Sequence, residues 1–151
     1  MAPRILVTRA ALQANPAADW NAYIELLACT PLKDLAPSQR PAALAFWYES
    51  EVQNGGHLQY FVNCGAEQAE ETVRSLGTIG ASAHARILER AVAKWTGAAR
   101  LLPVDTLEYL AIAAEDEFSD ADREFHACED TLIAHLRRHF AAHESAFIER
   151  E

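Results

Sequence analysis

The residue types best suited to chemistry stand in the run Glu51-Val-Gln-Asn-Gly-Gly-His-Leu-Gln-Tyr-Phe-Val-Asn63. A carboxylate, Glu51, and an imidazole, His57, lie on either side of a double glycine, and such a pair can perform general acid–base work. No nucleophile or substrate determinant stands beside them, so a small-molecule or catalytic site on Glu51, His57 and Gln59 is the alternative reading. In the structural reading, Gly55-Gly56 breaks one helix and a new one starts at His57. Its first backbone N–H groups need partners, and the local positive dipole favours a carboxylate. Glu51, one turn before Gly55, is expected to fold back onto those donors, with Asn54, Gln59 and Asn63 completing a polar network.

Other chemistry-bearing sets are less complete. His135, His139 and His143 stand at i, i+4 and i+8, and an i, i+4 histidine pair can hold zinc on an HExxH helix. Leu136 occupies the place of that motif's glutamate, so these are read as surface or core-edge histidines and no metal is assigned. Gly77-Thr-Ile-Gly80 lacks the lysine of a phosphate loop, and there is no G-x-S-x-G elbow. Cys29, Cys64 and Cys128 form no CxxC pair and read as reduced, buried thiols of a cytosolic protein. No catalytic residue and no cofactor is assigned. The apolar run Ile5-Leu6-Val7 is too short for a signal peptide or a membrane span, so a cytoplasmic location is expected.

Charge supplies the remaining candidate. Between Asp105 and Asp130 stand ten acidic residues: Asp105, Glu108, Glu115, Asp116, Glu117, Asp120, Asp122, Glu124, Glu129 and Asp130. Only Arg123 opposes them, and outside this segment acids and bases are equal in number, so it carries the whole net charge of −9. Direct binding to nucleic acid or an anionic membrane is therefore not expected. Ten carboxylates over 26 residues at about 1.5 Å per helical residue give one per roughly 4 Å, against one phosphate per about 1.7 Å of DNA axis. That density suffices to compete for a basic groove. On a helix these carboxylates surround the exposed arc instead of forming one stripe, and Arg86, Arg90 and Lys94 form a basic row able to neutralise part of it.

The elements that would position these groups are helices. Half the residues are hydrophobic, with Gly and Pro at six each, and 151 residues suffice for one domain with its own core. The expected fold is all-α: a single compact domain over 1–151, of about six or seven helices, with an irregular or strand-like lead-in over 1–16. Trp20, Tyr23, Ile24 and Leu27 mark a first helix that Thr30-Pro31 ends. Ser38 is expected to cap a second, with Pro41 in its first turn. Further helices are expected over 57–63, 66–76, 81–96 and 105–117. The longest is expected last, from a Ser119/Asp122 capping box through Phe125, Cys128, Leu132, Leu136 and Phe140.

The stretch Ala45–Asn63, with its pattern Glu51, Asn54, Gly55, Gly56, Gln59, Tyr60 and Asn63, resembles the hallmark of a bacterial domain-of-unknown-function family. Glu-Glu-Thr-Val-Arg-Ser-Leu-Gly-Thr-Ile-Gly-Ala and Asp-Glu-Phe-Ser-Asp-Ala-Asp-Arg-Glu-Phe extend the likeness over about residues 18–140. One member is an acidic DNA mimic. The resemblance implies an all-helical fold, a homodimer, and surface carboxylates that imitate phosphates in a transcription factor's DNA site. On it rests the leading reading: a non-enzymatic acidic protein that blocks a basic or DNA-binding partner. The expected partner-binding residues are Glu108, Glu115, Asp116, Glu117, Asp120, Asp122, Glu124, Glu129 and Asp130, and the family motif is read as structural. An immunity-type inhibitor of a toxin shares the same physics and is a further alternative.

Overall fold

The computed structural model describes residues 1–151, and its elements run β1 (Ile5–Val7), α1 (Arg9–Ala14), α2 (Ala18–Cys29), α3 (Arg40–Thr78), α4 (Ser82–Thr96), α5 (Thr106–Ala113), α6 (Ser119–Ala127), α7 (Leu132–His143) and β2 (Ile148–Arg150). The all-α class expected from composition holds, since the only sheet is the two-stranded parallel pair β1–β2, which aligns Ile5 with Ile148. Of the lead-in expected to be irregular or strand-like over 1–16, only Ile5–Val7 is a strand; Arg9–Ala14 within it is a short helix that Thr8 caps through Oγ1 on the Ala11 N–H at 3.1 Å.

One aromatic and aliphatic core joins the elements. Tyr23, Tyr48, Tyr60, Phe61 and Phe147 are fully buried, with Leu27, Leu44, Leu76, Leu88, Leu132 and Leu136. Helix α4 is amphipathic and turns Ile87, Leu88, Ala91 and Val92 inward. Gln39 fastens both ends of the chain: its buried amide donates to Pro3 O at 2.6 Å and Ala146 O at 2.8 Å.

The longest helix is α3, and it is a chain of three legs. Gly55 (φ −152°, ψ 19°) and Gly56 (φ 74°, ψ −175°) break it before His57, and Gly65 (φ 79°, ψ 166°) breaks it again. The double-glycine break and the short 57–63 helix are therefore where the sequence put them. Arg40 holds the outer legs together, pairing with Glu71 and donating to Leu32 O at 2.9 Å.

Several expectations need correction. The C-terminal stretch is two helices, not one long one: Cys128 turns extended, and Thr131 starts α7 by accepting from the Ala134 N–H at 3.1 Å. An apolar stripe that stays in register across 128–131 conceals this break. Ser38 does not cap α3; Gln39 precedes the helix, and its side chain accepts from the Ala36 N–H at 2.9 Å. The Ser119/Asp122 capping box does not form either, because Asp122 is drawn to the glycine corner. Helix α5 stops at Ala113, which places Glu115–Glu117 in a turn. The thiols are free, but Cys29 is exposed and Cys64 and Cys128 are half-buried.

Candidate functional site

The glycine corner and the acidic segment form one construction. At the start of the second leg of α3, the His57 N–H donates to Asp122 Oδ1 at 2.9 Å, and His57 Nδ1 bonds the same oxygen at 2.7 Å. The other ring nitrogen, Nε2, lies 2.7 Å from the Tyr48 hydroxyl. His57 and Tyr48 are both fully buried, and Phe125 packs edge-on against both rings. Burial alone would raise the Asp122 carboxyl. The hydrogen bonds from the His57 ring and backbone, with the charges of His57 and His126, instead bring it below its ordinary value.

Asp122 therefore takes the role expected of Glu51. Glu51 accepts from Gln59 Nε2 at 2.7 Å and Asn63 Nδ2 at 2.9 Å, while Asn54 donates to Gln59 Oε1 at 3.1 Å. The expected polar network forms, but between side chains and along the outer side of the corner. Tyr60 completes the motif inside, donating to Thr72 Oγ1 at 3.0 Å. Both glycines are required by these contacts. A Cβ on Gly55 would stand 2.1 Å from Gln59 Oε1, and one on Gly56 2.6 Å from Asp122 Oδ2. Gly56 also has a backbone conformation essentially confined to glycine.

This arrangement disposes of most of the chemistry that the run 51–63 suggested. Both nitrogens of His57 are engaged and the ring does not meet solvent. A cleft of about 100 Å³ does open beside the corner, yet its walls are Gly55, Leu58, Tyr109, Ile112, Phe118 and Asp122, not Glu51, His57 or Gln59.

The acidic residues fall into three groups. Asp105 and Glu108 cap α5, accepting from the Glu108 N–H at 2.8 Å and the Val104 N–H at 2.7 Å. Five are matched by nearby cations or by His57: Glu117 by Arg100, Asp120 by Arg123, Asp122 by His57, Glu124 by Arg90 and Asp130 by Arg138. The Arg100 pair is bidentate, and the guanidinium also lies 4.4 Å over the Trp95 ring. Its hydrogen bonds lower the Glu117 carboxyl below its ordinary value. Of the basic row on α4, Arg90 meets Glu124 and Lys94 donates to Glu117 O at 2.9 Å. Glu115, Asp116 and Glu129 form the last group, exposed and with no ion pair to any cation of the chain. Asp116 sits in the α5–α6 turn at φ 57°, a conformation that Asp and Asn tolerate better than most residues.

The histidine row on α7 is dispersed. His135 faces His84, while His139 and His143 stack at 4.5 Å with His139 against Phe147. Sequence reasoning missed His84 and Glu49. Both are buried, His84 with Nδ1 and Glu49 with Oε2 lacking a partner. Burial lowers the His84 imidazole to about 4, helped by His135, and raises the Glu49 carboxyl. Their signal was only their place on the inner faces of α4 and α3.

Fold and site together define a helical protein whose glycine corner anchors an acidic segment through Asp122. The chain belongs to the DMP19-like protein family, whose model matches residues 33–143, nearly three quarters of its length. This is the bacterial family, with DNA mimics among its members, that the Glu51–Asn63 motif resembles. Comparison with curated proteins and with solved structures gives no match. No helix is long and apolar enough to cross a membrane.

Proposed function

We propose that this chain binds a basic, DNA-binding protein in place of DNA, using the carboxylates of the Asp105–Asp130 segment. The observation that carries this reading is the concentration of all excess charge there, with Glu115, Asp116 and Glu129 left without cations. Asp120, Glu124 and Asp130 add to the same field, since their cationic partners are exposed and such pairs exchange readily with other cations; Glu108, whose carboxylate meets only a backbone N–H, adds its charge as well. Asp122 and Glu117 have the structural task of holding α6, and their charge reaches the partner only as part of the field. Long-range attraction of this kind raises the encounter rate and weakens steeply with salt.

Affinity capture from native lysate tests the reading, comparing wild type with the triple variant Glu115→Gln, Asp116→Asn, Glu129→Gln. A basic protein retained by wild type, released by moderate salt and lost by the variant is the expected result. Equal retention by both proteins would remove the acidic face from the account.

A further inference from the structure

The rest of the molecule leaves the segment leading into α5 uncovered. Leu101 and Val104 are 92% and 84% exposed, and Leu107 and Leu110 on α5 are 78% and 57% exposed. Helix α5 turns Tyr109, Ile112 and Ala113 toward the cleft beside Gly55 and buries none of its residues. Leu107, Leu110 and Ala111, at i, i+3 and i+4, therefore share an outward apolar face. Single exposed leucines are ordinary, but large apolar side chains exposed together at Leu101, Leu102, Val104, Leu107 and Leu110, all within ten residues, mark a segment built to be covered.

Charge selects what covers it. From Leu101 to Asp122 the chain has no Lys or Arg, while Glu108 lies on α5 and Glu115 and Asp116 directly follow it. A second copy docked through this face would set like charges against each other, which costs several kcal/mol in an interface, and an anionic membrane would be repelled in the same way. Duplex phosphates, were the partner to see only those imitated, would give the leucines no function. A helix with an apolar face flanked by Lys and Arg satisfies both the leucines and the carboxylates.

We propose that Leu101–Leu110 is an apolar anchor for a basic amphipathic helix of the partner protein, whose cations meet Glu108, Glu115 and Asp116. This rests on the acidic-face reading and adds a salt-insensitive component to it.

Calorimetric titration with three synthetic peptides tests the anchor. One is an amphipathic Leu/Lys helix, the second has the same composition scrambled to abolish the apolar face, and the third is oligolysine of equal charge. Wild type is expected to bind the amphipathic helix about tenfold more tightly than the others, with a negative heat-capacity change. Leu107→Ser with Leu110→Ser is expected to erase that advantage, a loss of about tenfold, while oligolysine binding and melting temperature stay the same. If the double variant binds the amphipathic helix as wild type does, the anchor is refuted and the acidic-face reading survives. Sedimentation showing a wild-type dimer that the double variant dissolves would also overturn the proposal, by making a second copy the occupant. Failure of all three peptides at low salt would strike the acidic-face reading itself, and the anchor with it.

Discussion

Asp122 joins the two parts of the molecule that the sequence keeps apart. Its carboxylate caps the helix that restarts at His57, bonds the His57 ring, and lies where a Cβ on Gly56 would have to go. Gly56→Ala should therefore cost roughly 2–4 kcal/mol, from backbone strain together with displacement of Asp122. Gly65→Ala meets no atom within 4 Å and should cost only the strain, about 1–3 kcal/mol. Denaturant unfolding of Gly56→Ala, Asp122→Ala and the double variant checks this: the two costs should fall well short of adding, because the second change finds the contact already lost. Simple additivity would mean that Asp122 and Gly56 act independently. The polar set Glu51, Asn54, Gln59 and Asn63 was legible because helix-breaking glycines announce unsatisfied donors. That Asp122 would supply the capping carboxylate was not, since a contact spanning 65 positions has no local signature.

At the scale of elements, the acidic segment is two short helices and two turns. Legibility failed where a helix pauses without glycine or proline. Thr131 is a sound N-cap, but the apolar positions Phe125, Cys128, Leu132 and Leu136 keep helical spacing through the break and hide it. The extended Ile5-Leu6-Val7 was visible, whereas its partner β2, Ile148–Arg150, has no strand pattern of its own and pairs only because Gln39 and the core bring the chain ends together. The division of the acids into bound and free predicts how substitutions sort. Glu115→Gln, Asp116→Asn and Glu129→Gln should each change stability by less than about 0.5 kcal/mol, as surface changes do, with Asn keeping the turn at position 116. Asp122→Asn should lower the melting temperature clearly, because it weakens a charge-assisted bond to a buried ring. Thermal unfolding of the four single variants separates the classes, and a Glu115→Gln or Glu129→Gln variant as unstable as Asp122→Asn would contradict the division.

Across the whole molecule the titrating groups set a pH window. His84 and His139 are held neutral, each lowered from 6.5 to about 4, chiefly by burial and further by a neighbouring histidine. A base lowered on folding binds fewer protons folded than unfolded, so its contribution is complete above pH 6.5 and is lost as pH falls toward 4. For the almost fully buried His84 that loss is on the order of 3 kcal/mol. Asp122, lowered below 3.8, extends the loss to still lower pH, while the raised Glu49 carboxyl works in the opposite direction. Stability measured in denaturant should therefore fall steadily from pH 6.5 to 4, and His84→Gln should flatten the slope. An unchanged slope would show that His84 protonates freely in the folded protein.

Charge asymmetry is the property of the whole chain on which the function is read, and mutual exclusion with DNA tests that reading most directly. With a captured partner in hand, duplex DNA carrying its site would be titrated against the preformed complex across a range of salt. The expected result is competition at a single site, with the salt dependence of binding reduced in the Glu115→Gln, Asp116→Asn, Glu129→Gln variant. A ternary complex in which the partner holds DNA and this protein together would contradict DNA mimicry.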